Sequence, residues 1–120
     1  MYLIASSDDL FKNKIHEEET KSFSCRKILF CHNNASGLRS IRAIKYNIII
    51  IDTDKTAFDL KLFLKNVRCG KKEVNKETSI ILVAEKVDKK YVERYIQYVE
   101  YISLKSTFDL DQILAKSCAS

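Results

Sequence analysis

The sequence contains no proline and only two glycines, Gly37 and Gly70. Without proline there is no fixed-φ kink, and no X–Pro bond can rest in the cis form. Two isolated glycines cannot build a glycine-rich phosphate loop or a dinucleotide fingerprint. Long apolar runs are missing too. The longest, Ile48-Ile49-Ile50-Ile51, is far short of the ~20 residues a membrane-spanning helix needs. The opening residues Met1-Tyr2-Leu3-Ile4-Ala5 lack the basic region and apolar stretch of a secretory signal. The expectation is a cytoplasmic protein with no membrane partner. Metal-ligand spacing is absent as well. Cys25, Cys31, Cys69 and Cys118 form no C-x-x-C pair, and His16 and His32 add no zinc-like spacing. Reduced thiols are therefore expected, not a disulfide framework.

What is present fits one ordered domain. The chain has 120 residues, 46% of them hydrophobic and 31% charged, enough apolar surface for a real core and too little length for two. The net charge is +5. Much of the excess lies in Lys61, Lys65, Arg68, Lys71 and Lys72, and in Lys86, Lys89, Lys90 and Arg94. These read as solvated helix faces. They combine with aromatics into no nucleic-acid motif, so nucleic acid is not an expected partner of this domain.

Five short runs rich in β-branched and aromatic residues predict strands: Tyr2–Ser6, Lys27–Cys31, Asn47–Asp52, Ser79–Ala84 and Tyr101–Lys105. The isoleucine run has no polar alternation, as in a strand buried on both faces. Each run is followed by helical periodicity. Ser7 or Asp8 caps a first helix through Leu10, Phe11 and Ile15, and Asn34 or Ser36 a second through Leu38, Ile41 and Ile44. In Asp59–Arg68 the apolar Leu60, Phe63, Leu64 and Val67 recur every three or four residues, with Lys61, Lys65 and Arg68 turned outward. Asp88 opens a fourth helix through Val92, Tyr95, Ile96 and Val99, and Asp109 a short fifth. Strand then helix, five times, predicts an α/β domain with a doubly wound parallel sheet. Ligands of such sheets gather at the carboxyl ends of the strands, which directs attention to Ser6, Ser7, Asp52, Asp54, Ala84 and Lys105.

Asn47–Asp52 followed by Asp59–Arg68 resembles the third strand and third helix of response-regulator receiver domains. Ser79–Ala84, Tyr101–Lys105 and Phe108–Leu114 resemble the fourth strand, fifth strand and last helix, so the likeness runs over essentially the whole chain. It implies a flavodoxin-like (βα)5 sheet in the order 2-1-3-4-5, and phosphoryl transfer from a histidine kinase to an aspartate ending the third strand. Catalysis there is mainly positioning and charge neutralisation, with Mg2+ held by carboxylates and water.

The resemblance places Asp52 at the phosphoacceptor position and Lys105 at that of the phosphate-binding lysine. The acidic metal-binding pair falls on Ser6 and Ser7, which carry no charge. Ala84 replaces the switch hydroxyl and donates no hydrogen bond. Ile102 stands for the switch aromatic, with Tyr101 adjacent, and Ser106 for the proline after the lysine. A two-residue shift would bring Asp8 and Asp9 into the metal site, and Asp54 is a further carboxylate within reach; capping is the expected role of Asp8 and Asp9. Tyr91, Tyr95 and Tyr98 are spaced by four and three. In receivers the face of the fourth helix, fifth strand and fifth helix serves dimers and partners, so Tyr91, Tyr98 and Tyr101 are interface candidates and Tyr95 a core residue.

The leading expectation is a degenerate receiver, not an enzyme and without a cofactor, that acts by protein–protein interaction or dimerisation, with a Lys105–Asp52 ion pair closing its pocket without metal. The alternative is a working phosphoacceptor at Asp52 with weak Mg2+ binding, served by a histidine kinase. A flavin- or nucleotide-binding flavodoxin-like protein is a third reading, disfavoured by the acidic Ser6-Ser7-Asp8-Asp9 loop.

Overall fold

The structure, a computed structural model, describes residues 2–6, 10, 11, 13–15, 28–31, 34–53, 60–69 and 74–107. Strand β1 (Tyr2–Ala5) leads to helical residues 10, 11 and 13–15 (α1), then β2 (Ile28–Cys31), α2 (Asn34–Ala43), β3 (Ile48–Asp52) and α3 (Leu60–Cys69). The chain continues through β4 (Ser79–Ala84), α4 (Lys89–Tyr95), β5 (Tyr101–Leu104) and a 3-10 turn, Lys105–Thr107. The expected fifth helix lies outside the described residues.

All five strands are parallel, in the order β2-β1-β3-β4-β5. Ala5 stands level with Cys31 on one side and Ile51 on the other, and Ile51 with Leu82. The carboxyl ends of the strands therefore form one rim. All five residues of β3 are buried, as the unbroken isoleucine run requires. Alternation along the strands sorts the core into two layers. Leu3, Ala5, Ile49, Ile51, Ile80 and Leu82 pack with Ile41 of α2 and with Phe63, Leu64 and Val67 of α3. Tyr2, Ile4, Ile48, Ile50, Ile81 and Val83 pack with Phe11 and Ile15 of α1. Each such isoleucine contributes roughly 1.5–3 kcal/mol on burial, which makes β3 the anchor of the sheet. Among the described residues no helix is long and apolar enough to cross a membrane.

Three local features differ from the periodic reading. Arg68 is not turned outward. Its Nε donates to the Tyr98 carbonyl at 3.0 Å and one terminal nitrogen donates to the carbonyls of Lys76 and Thr78 at 2.6 and 2.8 Å. The end of α3 meets three carbonyls left over from turns, and a guanidinium fork satisfies them together. Burial lowers the Arg68 pKa, opposed by nearby Glu100. Second, α4 ends at Tyr95 and does not run through Val99. Tyr98 N–H turns back to the Tyr95 carbonyl at 2.9 Å, and Glu100 N–H joins the Ile80 carbonyl at 2.9 Å, so pairing with β4 takes the chain out of the helix. Third, the turn before β4 is stapled by a buried asparagine. Asn75 Oδ1 accepts from Tyr46 N–H at 2.8 Å, and its Nδ2 donates to the carbonyls of Ile41 and Ile44 at 2.7 and 2.8 Å. The Thr78 hydroxyl lies 2.9 Å from the same Oδ1 and 3.1 Å from the Tyr46 carbonyl. One side chain thus closes the end of α2 and ties it to the start of β4.

Candidate functional site

At the carboxyl rim, β1 delivers Ser6, β3 ends in Asp52, β4 in Ala84, and the turn after β5 begins with Lys105. Ser6 follows β1 directly and is fixed by its N–H to the Cys31 carbonyl at 3.1 Å. Both Ser6 and Asp52 are fully buried. Ser6 Oγ donates to Asp52 Oδ2 at 2.8 Å, and Lys105 Nζ donates to the same oxygen at 2.9 Å. The Lys105 side chain keeps 12% of its surface exposed, and its Nζ lies 5.3 Å from the centre of the Phe11 ring. A buried carboxylate is tolerable only with a counter-charge and hydrogen bonds, and here an internal ammonium and a hydroxyl supply both. The aromatic face adds a further attraction for the cation.

Ala84 is buried at the rim and contributes a methyl where a hydroxyl would be needed to bind an oxyanion. Ile102 is half-buried against the layer containing α2 and α3, and its neighbour Tyr101 is 38% exposed, as strand alternation demands. Ser7, Asp8, Asp9 and Asp54 lie outside the described residues.

Tyr91, Tyr95 and Tyr98 are each half-buried. All three pack against the layer containing α3, and each keeps part of its surface exposed. Tyr91 OH lies 2.7 Å from Thr53 Oγ1, which is 3.2 Å from the Val83 carbonyl. Either hydroxyl can donate in this pair. Thr53 N–H also bonds to the Val83 carbonyl at 2.9 Å. The residue after Asp52 is thereby tethered to both β4 and α4, a link that helical spacing alone does not reveal. Phe11 is the other missed member of the site. Its periodic position marked it as core, and its place beneath Lys105 depends on how α1 crosses the rim.

No family model matches the chain, and no curated protein sequence matches it. Solved structures do. The receiver domain of the histidine kinase CKI1 from Arabidopsis thaliana, complexed with Mg2+ and BeF3−, has a TM-score of 0.77 at 16% identity, over 99% of this chain and 89% of that one. A response regulator from Hahella chejuensis has a TM-score of 0.75 at 18% identity, over 99% and 91%. The fold is receiver-like. A response regulator from Burkholderia pseudomallei with a phosphorylated aspartic acid is similar at a TM-score of 0.73 and 14% identity, over 95% of this chain and 64% of that one. The receiver-like chain therefore spans less than two thirds of that regulator.

Receiver-like folds raise the question of a divalent ion, and Mg2+ is bound in the plant domain. Among the described residues no cluster of three metal-ligating side chains exists. At the rim the described donors are one carboxylate and one neutral hydroxyl, and the carboxylate oxygen Oδ2 is engaged by an ammonium. A small dication that dehydrates reluctantly competes poorly for that oxygen. The described donors by themselves are too few for an Mg2+ site, and Asp8, Asp9 and Asp54, the other carboxylates considered for it, lie outside the described residues.

Proposed function

We propose that this chain is an atypical receiver-like signalling domain that acts mainly by phosphorylation-independent protein–protein interaction or dimerisation in two-component-type regulation. The observation that carries the reading is the state of Asp52, whose Oδ2 accepts from Ser6 and from Lys105. A phosphoacceptor must offer a carboxylate oxygen to an incoming phosphoryl group whose charge is being neutralised. Here the acceptor is held by groups of the fold itself, and Ala84 has no proton to give the phosphoryl oxygens. A switch also needs a contact that differs between two states, and neither Ala84 nor Ile102 provides the usual one. The domain is then a binding module, not an enzyme, and works in the cytoplasm without a cofactor.

The alternative, phosphorylation of Asp52 by a histidine kinase with weak Mg2+ binding, draws on the same 2.9 Å approach of Lys105, since a lysine there also suits a phosphorylated aspartate. A two-dimensional amide NMR titration with Mg2+, then with Mg2+ and beryllofluoride, separates the two. The expected result is a silent spectrum. Saturable shifts at Asp52, Ala84 and Lys105 that spread into α4 would establish the working phosphoacceptor instead.

A further inference from the structure

Away from the rim, α3 and α4 enclose a groove of about 480 Å3, lined by Lys61 and Lys65 of α3, Arg94 and Tyr95 of α4, and Gln97 and Tyr98 of the turn that follows. Among the described residues no acidic side chain lines it. Lys61, Lys65 and Arg94 are exposed, and among the described residues none of them is paired with a carboxylate. Lys61 and Lys65 stand one helical turn apart on the same side of α3, an arrangement that is mildly repulsive on an isolated helix. Arg94 is held with its guanidinium carbon 6.0 Å from the centre of the Tyr95 ring, and Tyr95 in turn packs edge-on against Tyr91 at 5.1 Å. The groove therefore combines three cations that have no carboxylate partner among the described residues with a braced aromatic wall, Tyr95, and a second tyrosine, Tyr98.

We infer that this groove binds an acidic segment of a partner protein, with carboxylates on Lys61, Lys65 and Arg94 and an apolar side chain between Tyr95 and Tyr98. This rests on the interaction-module reading above and names the partner's chemistry. Charge complementarity selects an anion, and the tyrosine walls select one that also carries apolar surface. The surroundings favour a short peptide over nucleic acid. The exposed side of α4 is of mixed sign, with Lys89 3.9 Å from Glu93 and Lys90 one turn before Arg94, so a polyanion running along the helix meets a carboxylate as well as cations.

The test is selection of a library of random hexapeptides on the full chain, with Lys61→Glu/Lys65→Glu and, separately, Arg94→Glu variants as parallel baits. The expected result is enrichment of sequences pairing aspartate or glutamate with an apolar residue. Their affinity falls on the order of ten-fold or more in each variant and weakens with added salt, and binding shifts the amide signals of Lys61, Lys65 and Tyr98. Absence of acidic enrichment, equal enrichment on wild type and variants, or a thymidine oligonucleotide that binds the groove more tightly than the selected peptides would each overturn it. These results are independent of the Mg2+ and beryllofluoride titration. Failure at the groove leaves the Asp52 reading intact, and a phosphorylatable Asp52 leaves the groove intact.

Discussion

Replacing Lys105 with methionine removes one charge from the rim while keeping the aliphatic stem against Phe11. Asp52 is fully buried, so the substitution strands a carboxylate whose described partner is then the Ser6 hydroxyl. Breaking a buried ion pair from one side costs about 3–5 kcal/mol. Two features of this site lower that figure. The lysine side chain is 12% exposed, so water reaches the vacated position, and the 2.8 Å bond from Ser6 survives. The expected loss is therefore about 2–4 kcal/mol. With a urea dependence of about 1–3 kcal/mol per molar, the unfolding midpoint falls by roughly 1–2 M. Asp52→Asn alone costs less, because the lysine head can turn into solvent. In the double variant no charge is stranded, so the cycle closes with a coupling of about 1–3 kcal/mol. Equilibrium urea unfolding followed by far-ultraviolet circular dichroism on the four proteins measures it. A loss below about 1 kcal/mol for Lys105→Met, or a coupling indistinguishable from zero, would refute the idea that the internal ammonium holds this carboxylate in place.

Other expectations concern the supports of the site. Asn75→Ala leaves the Tyr46 N–H and the carbonyls of Ile41 and Ile44 without their side-chain partner, and is expected to cost about 2–4 kcal/mol in the same urea assay. A cost under about 1 kcal/mol would mean that water replaces the staple. Tyr46 has a buried hydroxyl that makes no hydrogen bond of good geometry among the described residues, and burial raises its pKa, only partly opposed by the nearby Ser40 hydroxyl. The folded protein then keeps a proton that the unfolded chain loses near pH 10, so stability is full below about pH 10 and falls as pH rises beyond it. Tyr46→Phe should flatten that alkaline loss relative to wild type in melts at stepped pH; superimposable slopes would exclude the effect. Tyr91→Phe removes the hydroxyl partner of Thr53 and should cost about 0.5–1.5 kcal/mol. Hydrogen exchange of the α4 amides should rise with it, and unchanged protection of α4 would argue against the tether.

The parts of this fold legible in the residues are those governed by burial. The isoleucine run had to be a central strand, because nothing on it tolerates water, and Phe63, Leu64 and Val67 could face only a core. Asp88 was readable as a cap, and its side chain does accept from Tyr91 N–H at 2.8 Å. Polar residues that act at a distance were not legible. Asn75 looks like any turn asparagine until the end of α2 is brought to it. Arg68 continues the basic face of its helix until turn carbonyls approach from the far side. Val99 extends the spacing of α4 but belongs to the approach to β5, where pairing with Ile80 outweighs helical propensity. At the site, Asp52 and Lys105 were singled out as residues at the carboxyl ends of predicted strands, and the family resemblance added the roles it implies for them. The roles of Ser6 as hydrogen-bond donor and of Phe11 beneath the lysine follow only from how β1 and α1 meet the rim.

The Asp52–Lys105 contact joins the end of β3 to the turn that follows β5. β3 lies between β1 and β4 with every residue buried, whereas β5 is an edge strand whose Tyr101 and Leu104 are exposed. Amides of Ile49 to Ile51 should therefore exchange only on global unfolding, and those of β5 through smaller, more frequent openings. Each opening of the edge withdraws the lysine while the aspartate stays on an intact strand, so the carboxylate is uncovered briefly and repeatedly in a folded molecule. Any reagent that traps a free Asp52 would then react at the rate at which the edge detaches, and the protection measured on β5 would set the clock of the pocket.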